Sequence, residues 1–238
     1  MGAAKSLLGR TALVTGGSRR IGAAICRELA ARGASVAVHY LTSETEAIGM
    51  NRTLGHGVFA VRGDLATAQG CGWIFREAAE WAGRVDILVN NASVFGRDGE
   101  VDDAQLRAVN VEAPLRLAEQ VAAQETGGCV VHILDSRIGR TDDGDFSQYA
   151  ATKRELAESV ARQARDWAPR TRVNGVAPGP VLAPEGTREA AGAIPLGRRP
   201  TAEDVARAVA FLSESDAVTG QIIFVDGGQH LAKRNSHA

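Results

Sequence analysis

The chain has 238 residues, of which 45% are hydrophobic and 23% charged, and its formal net charge is −1 at pH 7. This is the composition of a soluble globular protein, and so small a net charge gives no general attraction to nucleic acid or to an anionic membrane. The three cysteines are far apart in the sequence, which predicts neither a disulfide framework nor a metal site. We therefore expect a cytoplasmic protein without a signal peptide or a membrane-spanning segment.

Short β-branched runs alternate along the chain with longer amphipathic segments. The predicted strands are Thr11–Thr15, Ser35–Tyr40, Val58–Arg62, Ile87–Asn90, Cys129–Leu134, Arg172–Ala177 and Ile222–Val225. The predicted helices lie between them, at about 20–32, 44–54, 68–82, 102–124, 148–167 and 202–212. Strict alternation of this kind predicts a parallel sheet with helices on both faces, and strands that are apolar throughout support it. We predict one doubly wound α/β domain over residues 1–238, with a seven-stranded parallel sheet.

A glycine-rich turn, TGGSRRIG, follows the first predicted strand. Gly16 permits a tight turn with close backbone approach, and Gly22 permits close packing of the helix that begins near Arg20. The N-terminus of that helix presents N–H groups and a positive dipole end, which can bind a pyrophosphate. The spacing departs from the common G-x-G-x-x-G fingerprint of dinucleotide sites, and a glycine turn after a strand is often only a turn.

The second predicted strand ends in VAVHYLTS, with no carboxylate before Glu44. An NAD site usually places an acid at this point, on the ribose hydroxyls. Its absence, together with Arg19 and Arg20 in the glycine turn, favours a 2′-phosphate and hence NADP over NAD. The alternative is that His39 and Tyr40 only end the strand and that the arginines are solvated.

Polar residues also follow the third and fourth predicted strands. Asp64, in VRGDL, is placed where its carboxylate can accept a hydrogen bond from an adenine amino group. Asn91 and Ser93 belong to the sequence NNAS, which ends the fourth strand. Ligands of open α/β sheets bind outside the carboxyl ends of the strands, so we expect these residues to line one crevice. Asp and Asn are also frequent turn formers for purely local reasons.

Tyr149 and Lys153 form the most informative pair. The other two lysines, Lys5 and Lys233, lie in the terminal tails. Residues i and i+4 share one face of a helix, so the ammonium group would lie beside the phenol. A positive charge there lowers the pKa of a phenol, ordinarily about 10, and makes it a usable proton donor or acceptor. The alternative is a helix with one packed tyrosine and one exposed lysine.

The motifs TGGSRRIG, NNAS, YAATK and RVNGVAPGPV, in this order and spacing, resemble those of the short-chain dehydrogenase/reductase family. The resemblance implies a Rossmann-like fold and hydride transfer with a nicotinamide cofactor. It implies that Tyr149 transfers the proton and that Lys153 lowers the pKa of Tyr149 and holds the nicotinamide ribose. It also implies that Asn110 supports a water-linked proton relay, and that Pro178 and Gly179 approach the nicotinamide.

A narrower resemblance is to the pteridine reductase and dihydromonapterin reductase branch. Arg20 stands where the family pattern T-G-x-x-x-G-x-G has its middle glycine, and Phe95 follows NNAS. In that branch the arginine reaches the cofactor phosphates and the pterin, and the aromatic side chain stacks on the pterin. The terminal DGGQHL also resembles this branch. The further basic residues that the branch carries after its second strand are replaced here by Leu41 and Thr42, so Ser43 is added to the expected 2′-phosphate contacts.

These observations and the resemblance together give the residues expected to bind NADP(H). They are Gly16, Ser18, Arg19, Arg20, Ile21, Gly22, His39, Tyr40, Ser43, Asp64, Leu65, Asn91, Ala92, Ser93, Tyr149, Lys153, Pro178, Gly179 and Val181. The segment after Pro180 is expected to cover the substrate. No metal is expected.

The third catalytic position is open between two neighbours. The wider family has a serine 13 residues before its tyrosine, a spacing that Ser136 meets. The pteridine branch has an aspartate at that position, and Asp135 is its counterpart if the Asp/Gly-rich loop before Tyr149 carries one inserted residue. Successive residues after a strand point in opposite directions, so only one of the two should face the site.

The expected activity is NADPH-dependent hydride transfer to a C=N or C=O bond, with Arg20, Phe95, Asp135 and Tyr149 touching the substrate. A dihydropteridine or related cyclic imine is favoured. The alternatives are a carbonyl reductase acting on a 3-oxoacyl group or another ketone, and a non-enzymatic NADP sensor. The resemblance also implies a homotetramer or homodimer, with no nucleic acid or membrane partner.

Overall fold

The computed structural model describes residues 6–55, 57–140, 143–181 and 194–232. Seven parallel strands form one sheet in the order β3-β2-β1-β4-β5-β6-β7. Their bounds are β1 Thr11–Val14, β2 Ser35–Tyr40, β3 Val58–Arg62, β4 Ile87–Asn90, β5 Gly128–Ile133, β6 Thr171–Pro178 and β7 Ile222–Val225. The predicted α/β class and parallel sheet are confirmed, with the ends of β1, β5 and β6 shifted by one residue.

Helices connect successive strands. They are α1 Arg20–Ala31, α2 Glu44–Leu54, α3 Ala68–Ala82, α4 Asp103–Arg107, α5 Ala113–Ala123, α6 Ser147–Trp167 and α7 Ala202–Glu214. The single helix predicted at 102–124 consists of α4 and α5 joined by a π-helical turn, Ala108–Glu112. Such turns are rare and concentrate at functional sites. None of the helices in the described ranges combines the length and the apolarity needed to cross a membrane.

Alternate strand residues build a core on each face of the sheet. Val14 and Val38 face α1, α2 and α7, whereas their neighbours Leu13 and Ala37 face α3 and α5. All four side chains are fully buried. Because both faces are covered, the strands need no polar alternation, which is why they appear in the sequence as continuous apolar runs.

The strand order reverses between β1 and β4, and loops leaving these two strands diverge to opposite sides of the sheet. A crevice forms at the carboxyl ends of strands at such a point, and it is the usual ligand site of open α/β sheets. Helix α6 is fixed at its start by Asp98. The Asp98 carboxylate accepts hydrogen bonds from the backbone N–H groups of Ser147 and Gln148, at 3.1 and 3.0 Å, at the start of the helix.

Candidate active site

The glycine turn after β1 is a close-packed cradle. Gly16 has φ +59°, and a Cβ on it would lie 3.1 Å from the Cα of Ala92. A Cβ on Gly22 would lie 2.1 Å from the Gly16 carbonyl oxygen, so no side chain fits there. Asn91 secures the turn, because its Nδ2 donates to the carbonyl oxygens of Thr15 and Gly16 at 2.9 and 3.1 Å. The turn thus fits the close approach of a pyrophosphate.

Arg20 is the one described non-glycine residue with a positive φ, at +52°. This conformation costs an ordinary residue about 1 kcal/mol or more, and it persists where the surrounding structure imposes it, often at functional sites. It explains why the family pattern has a glycine here. Arg20 is the first residue of α1 and its side chain is exposed, so an extra guanidinium group stands at the helix end that attracts anions.

Arg19 and Ser18 connect the turn to the start of α2. The guanidinium group of Arg19 forms an ion pair with Glu46, its Nε donating to Oε1 at 2.7 Å. The hydroxyls of Ser18 and Ser43 lie 2.5 Å apart. Arg19, Arg20 and Ser43 therefore lie near one another where the glycine turn meets α2, and their contact with a 2′-phosphate stays a prediction.

His39 and Tyr40 point away from that edge, which corrects the expectation that they contact the phosphate. His39 is buried, with its Nδ1 accepting from the Gly16 N–H and its Nε2 donating to the Gly63 carbonyl, both at 3.1 Å. Burial lowers its pKa, so the ring is neutral and supports the turn. Tyr40 packs in the core, and its hydroxyl donates to Glu44 at 3.2 Å.

Of the two residues expected to bind the cofactor after β3, one is exposed and the other is buried. Asp64 is exposed, and its Oδ1 accepts from the Ala66 N–H at 2.9 Å, so its contact with an adenine stays a prediction. Leu65 is buried in the core beneath α3, so only its backbone is available to a ligand. Ile21, at the start of α1, packs partly against the core on the other face.

Tyr149 and Lys153 lie on the same face of α6, and both are buried. The Tyr149 hydroxyl donates to Oδ2 of Asp135 at 3.2 Å. The Lys153 Nζ donates to the Ile133 carbonyl at 3.0 Å and lies 5.7 Å from the centroid of the Tyr149 ring. The geometry therefore brings together Tyr149, Lys153 and Asp135.

The pKa of Tyr149 is shifted in the direction opposite to the one expected from the sequence. Burial, and then the negative charge of Asp135, raise the pKa of Tyr149, whereas the pattern Y-x-x-x-K predicts a lowered value. Burial lowers the pKa of Lys153 to about 8, and Asp135 acts in the opposite direction. Lys153 therefore carries its charge at neutral pH. Its ammonium group bonds to the Ile133 carbonyl, whereas the Tyr149 hydroxyl bonds to the Asp135 carboxylate.

Asp135, and not Ser136, faces Tyr149. Asp135 caps a short 3₁₀ helix, Ser136–Gly139, because its Oδ1 accepts from the Arg137 N–H at 2.8 Å. This leaves Oδ2 for the tyrosine. The Arg137 guanidinium group lies 3.5 Å from the same Oδ2 and balances the charge of the carboxylate. Ser136 is buried in the first position of that helix.

Asn110 lies in the π-helical turn and is fully buried. Its Oδ1 accepts from the Ser93 hydroxyl and the Val94 N–H, at 3.1 and 2.8 Å. Its Nδ2 donates to the Val94 carbonyl at 2.9 Å and to the Thr152 hydroxyl at 3.3 Å. Asn110 thus ties the NNAS loop to α6, and the relay through it stays a prediction.

An aromatic cluster covers the tyrosine. The rings of Phe95 and Tyr149 are nearly perpendicular, with centroids 4.8 Å apart, and Phe95 stacks on Phe146 at 5.0 Å. Phe95 is 56% exposed and forms the outer surface of the cluster. The Arg137 guanidinium group lies over Phe146, 4.8 Å from its centroid. Sequence reasoning identified Phe95 but missed Phe146, whose only signal was its place three residues before Tyr149.

The loop after β6 completes the crevice. Gly179 donates its N–H to the Val225 carbonyl at 3.0 Å, and a Cβ on it would lie 2.7 Å from that of Asp226. Pro178 ends β6, and the Val181 N–H bonds to the Gly179 carbonyl at 2.8 Å. The expected substrate-covering segment falls largely at 182–193, outside the described residues. In the described part of the chain, no three His, Cys, Asp or Glu residues are grouped to hold a metal ion.

Comparisons with known proteins agree with this geometry. A family model described as enoyl-(acyl carrier protein) reductase matches residues 16–230. The crystal structure of FolM alternative dihydrofolate reductase 1 from Brucella canis, complexed with NADP, is 35% identical with a TM-score of 0.88, covering 97% of this chain and 98% of that one. A short-chain dehydrogenase/reductase from Serratia marcescens is 34% identical with a TM-score of 0.86, covering 94% and 98%.

Among curated relatives, the 3-oxoacyl-[acyl-carrier-protein] reductase FabG from Staphylococcus aureus is 32% identical over 93% of this chain and 98% of its own length. This similarity extends over nearly the whole of each protein, so it includes the segments that hold the glycine cradle and the Tyr149–Lys153 pair. The chain therefore belongs to the short-chain dehydrogenase/reductase family of oxidoreductases.

Proposed function

We propose that the chain is an NADPH-dependent reductase that acts on the C=N bond of a dihydropteridine or a related cyclic imine. The cofactor assignment rests on the glycine cradle, on the grouping of Arg19, Arg20 and Ser43 at its edge, and on the similarity to FolM complexed with NADP. Bound NADPH would supply the hydride. The residues of the chain would bind the substrate and deliver the proton.

The contact between Asp135 and Tyr149 supports the C=N substrate over a ketone. A carboxylate accepts hydrogen bonds and repels a carbonyl oxygen, whereas a serine hydroxyl can donate to one. Pterins present N–H groups that can donate hydrogen bonds to the Asp135 side chain. Phe95 lies beside Tyr149 and is 56% exposed, so a planar ring bound there would contact it.

Tyr149 would give its proton to the reduced substrate. A raised pKa keeps it in the protonated form that a donor requires. Lys153, charged at neutral pH, would stabilise the phenolate that remains. Asn110 would hold the loop that carries Ser93 in place. The rate would come from positioning and general acid catalysis.

A carbonyl reductase is the second candidate, because the FabG relative is 32% identical over nearly the full chain. A steady-state screen separates the two. NADPH and NADH oxidation would be followed with dihydrobiopterin, dihydrofolate, a cyclic imine and an acetoacetyl thioester. We expect turnover with a dihydropteridine and a preference for NADPH. Turnover confined to the thioester would contradict the proposal, and cofactor binding without turnover of any compound would favour a sensor.

Assembly as a homodimer or homotetramer remains a prediction of the family resemblance. Sedimentation velocity on the purified chain tests it, with a monomer as the contradicting result.

A further inference from the structure

Glu46 binds the guanidinium group of Arg19, which the proposed function assigns to the cofactor's 2′-phosphate. Both Nε and Nη2 of Arg19 donate to Oε1 of Glu46, the former at 2.7 Å. This edge of a guanidinium group is one of those that bind a phosphate or a carboxylate with two parallel hydrogen bonds. The two side chains are 58% and 41% exposed, so the pair lies open to a ligand.

The surroundings of the pair favour an anion. Glu46 lies in the first turn of α2, whose N-terminal N–H groups attract negative charge. The Ser18–Ser43 contact holds this helix end against the glycine turn. A hydrogen bond to its own backbone, and then one to Arg19, lower the pKa of Glu46, so it is ionised at neutral pH. A second carboxylate in the same turn, Glu44, bonds to the Tyr40 hydroxyl instead of to Arg19.

We propose that Glu46 competes with the 2′-phosphate for Arg19 and thereby limits the preference of the protein for NADP(H) over NAD(H). A cofactor with a 2′-phosphate has to displace the Glu46 carboxylate from Arg19 or bind without Arg19. NAD(H) has no such phosphate and leaves the ion pair intact. Removing the charge of Glu46 therefore strengthens the binding of NADPH and leaves that of NADH nearly unchanged.

Fluorescence titration of NADPH and NADH into the full chain measures this directly, without turnover. Exposed ion pairs are weak, so Glu46→Gln should tighten NADPH binding by about three- to fivefold. The gain should shrink as salt screens the charges. Glu44→Gln removes a charge from the same helix turn without freeing Arg19. Glu80→Gln breaks a comparable exposed pair with Arg76 on α3. Both controls should change NADPH affinity less than Glu46→Gln does.

A double variant isolates the competition. In an Arg19→Gln background, Glu46→Gln should no longer tighten NADPH binding, because the guanidinium group for which the two anions compete is absent. An equal change for NADPH and NADH, a gain that survives in that background, or no change at all would overturn the inference. These outcomes leave the proposed function intact. Failure of the unmodified chain to bind either cofactor would instead overturn the proposed function, and the inference with it.

Discussion

The hydroxyl of Tyr149 donates its hydrogen bond to Asp135, and Lys153 bonds to a backbone carbonyl 20 residues earlier in the chain. The neutral form of the phenol is therefore the stable one: burial and the carboxylate raise its pKa, while the Arg137 charge acts in the opposite direction. For the proposed reductase this is the useful state, because the tyrosine would begin each cycle as a proton donor.

Substitution of Asp135 and Ser136 separates the two readings of this loop. Asp135→Asn keeps the shape of the side chain but removes the charge that would bind the substrate N–H groups. We expect kcat/KM for a dihydropteridine to fall about 100-fold, since hydrogen bonds to charged groups are the strong ones. Ser136→Ala should stay within about threefold of the unmodified chain. A larger loss in Ser136→Ala than in Asp135→Asn would contradict the assignment.

The pH dependence of turnover should report Lys153. Its pKa is lowered to about 8 by burial, so its charge is present at neutral pH and is lost as the pH rises through that value. We expect kcat/KM to decline over the same range, because the phenolate formed at Tyr149 loses its stabilising charge. Asp135 raises the pKa of Lys153, so the decline should move to lower pH in Asp135→Asn. Lys153→Met should have a low kcat/KM and should lack this decline at high pH. A decline at the same pH in that variant would rule out Lys153 as its source.

The aromatic cluster should govern substrate binding. Phe146→Leu removes the ring on which Phe95 stacks and the surface under the Arg137 guanidinium group. Aromatic pairs contribute about 0.5–1.5 kcal/mol, so we expect KM for a dihydropteridine to rise up to about tenfold, with NADPH affinity unchanged. Phe59→Leu serves as the control, because it breaks a comparable stack with Trp81, with centroids 5.4 Å apart, near the start of β3. Equal effects of the two variants would mean that the cluster acts only through stability.

Stability at acid pH should depend on His132. This ring is fully buried, its Nδ1 accepting from Asn90 at 3.2 Å and its Nε2 donating to Gln163 at 3.0 Å. Burial lowers its pKa from 6.5 to about 4, so between these values the unfolded chain binds the proton and the folded chain does not. The free energy of unfolding should therefore fall as the pH drops from 6.5 to 4, by roughly 3 kcal/mol from this residue.

Urea titrations across this pH range would measure the slope in the unmodified chain and in His132→Asn. The variant should have a shallower slope, whatever its absolute stability. Part of the slope should remain, because burial also lowers the pKa of His39. An identical slope in the two proteins would show that His132 is not the group responsible.

The parallel sheet and the glycine cradle were predictable because their causes are local. Continuous apolar strands indicate a sheet covered on both faces, and Gly22 is required by a contact with Gly16 only six residues away. The Tyr149–Lys153 pair was likewise visible as a helical i,i+4 spacing.

The features that the sequence did not reveal depend on contacts between distant segments. Phe146 acquires its role from Phe95, 51 residues earlier, and Arg19 acquires its partner Glu46 from another helix. His39 was expected at a phosphate because the pattern places it at a strand end, but a buried imidazole has to satisfy both nitrogens within the protein. The direction of the Tyr149 pKa shift depends on Asp135, whose orientation is set by the 3₁₀ helix that it caps.

We infer that Tyr149 is the proton donor of an NADPH-dependent reductase. The most direct test is the rate of NADPH oxidation with a dihydropteridine in the unmodified chain and in Tyr149→Phe, with Tyr40→Phe as the matched control. Loss of general acid catalysis should lower kcat by about 100- to 10,000-fold in Tyr149→Phe and leave NADPH affinity nearly intact. Tyr40→Phe should keep most of its activity. Equal turnover in Tyr149→Phe and the unmodified chain would contradict the account.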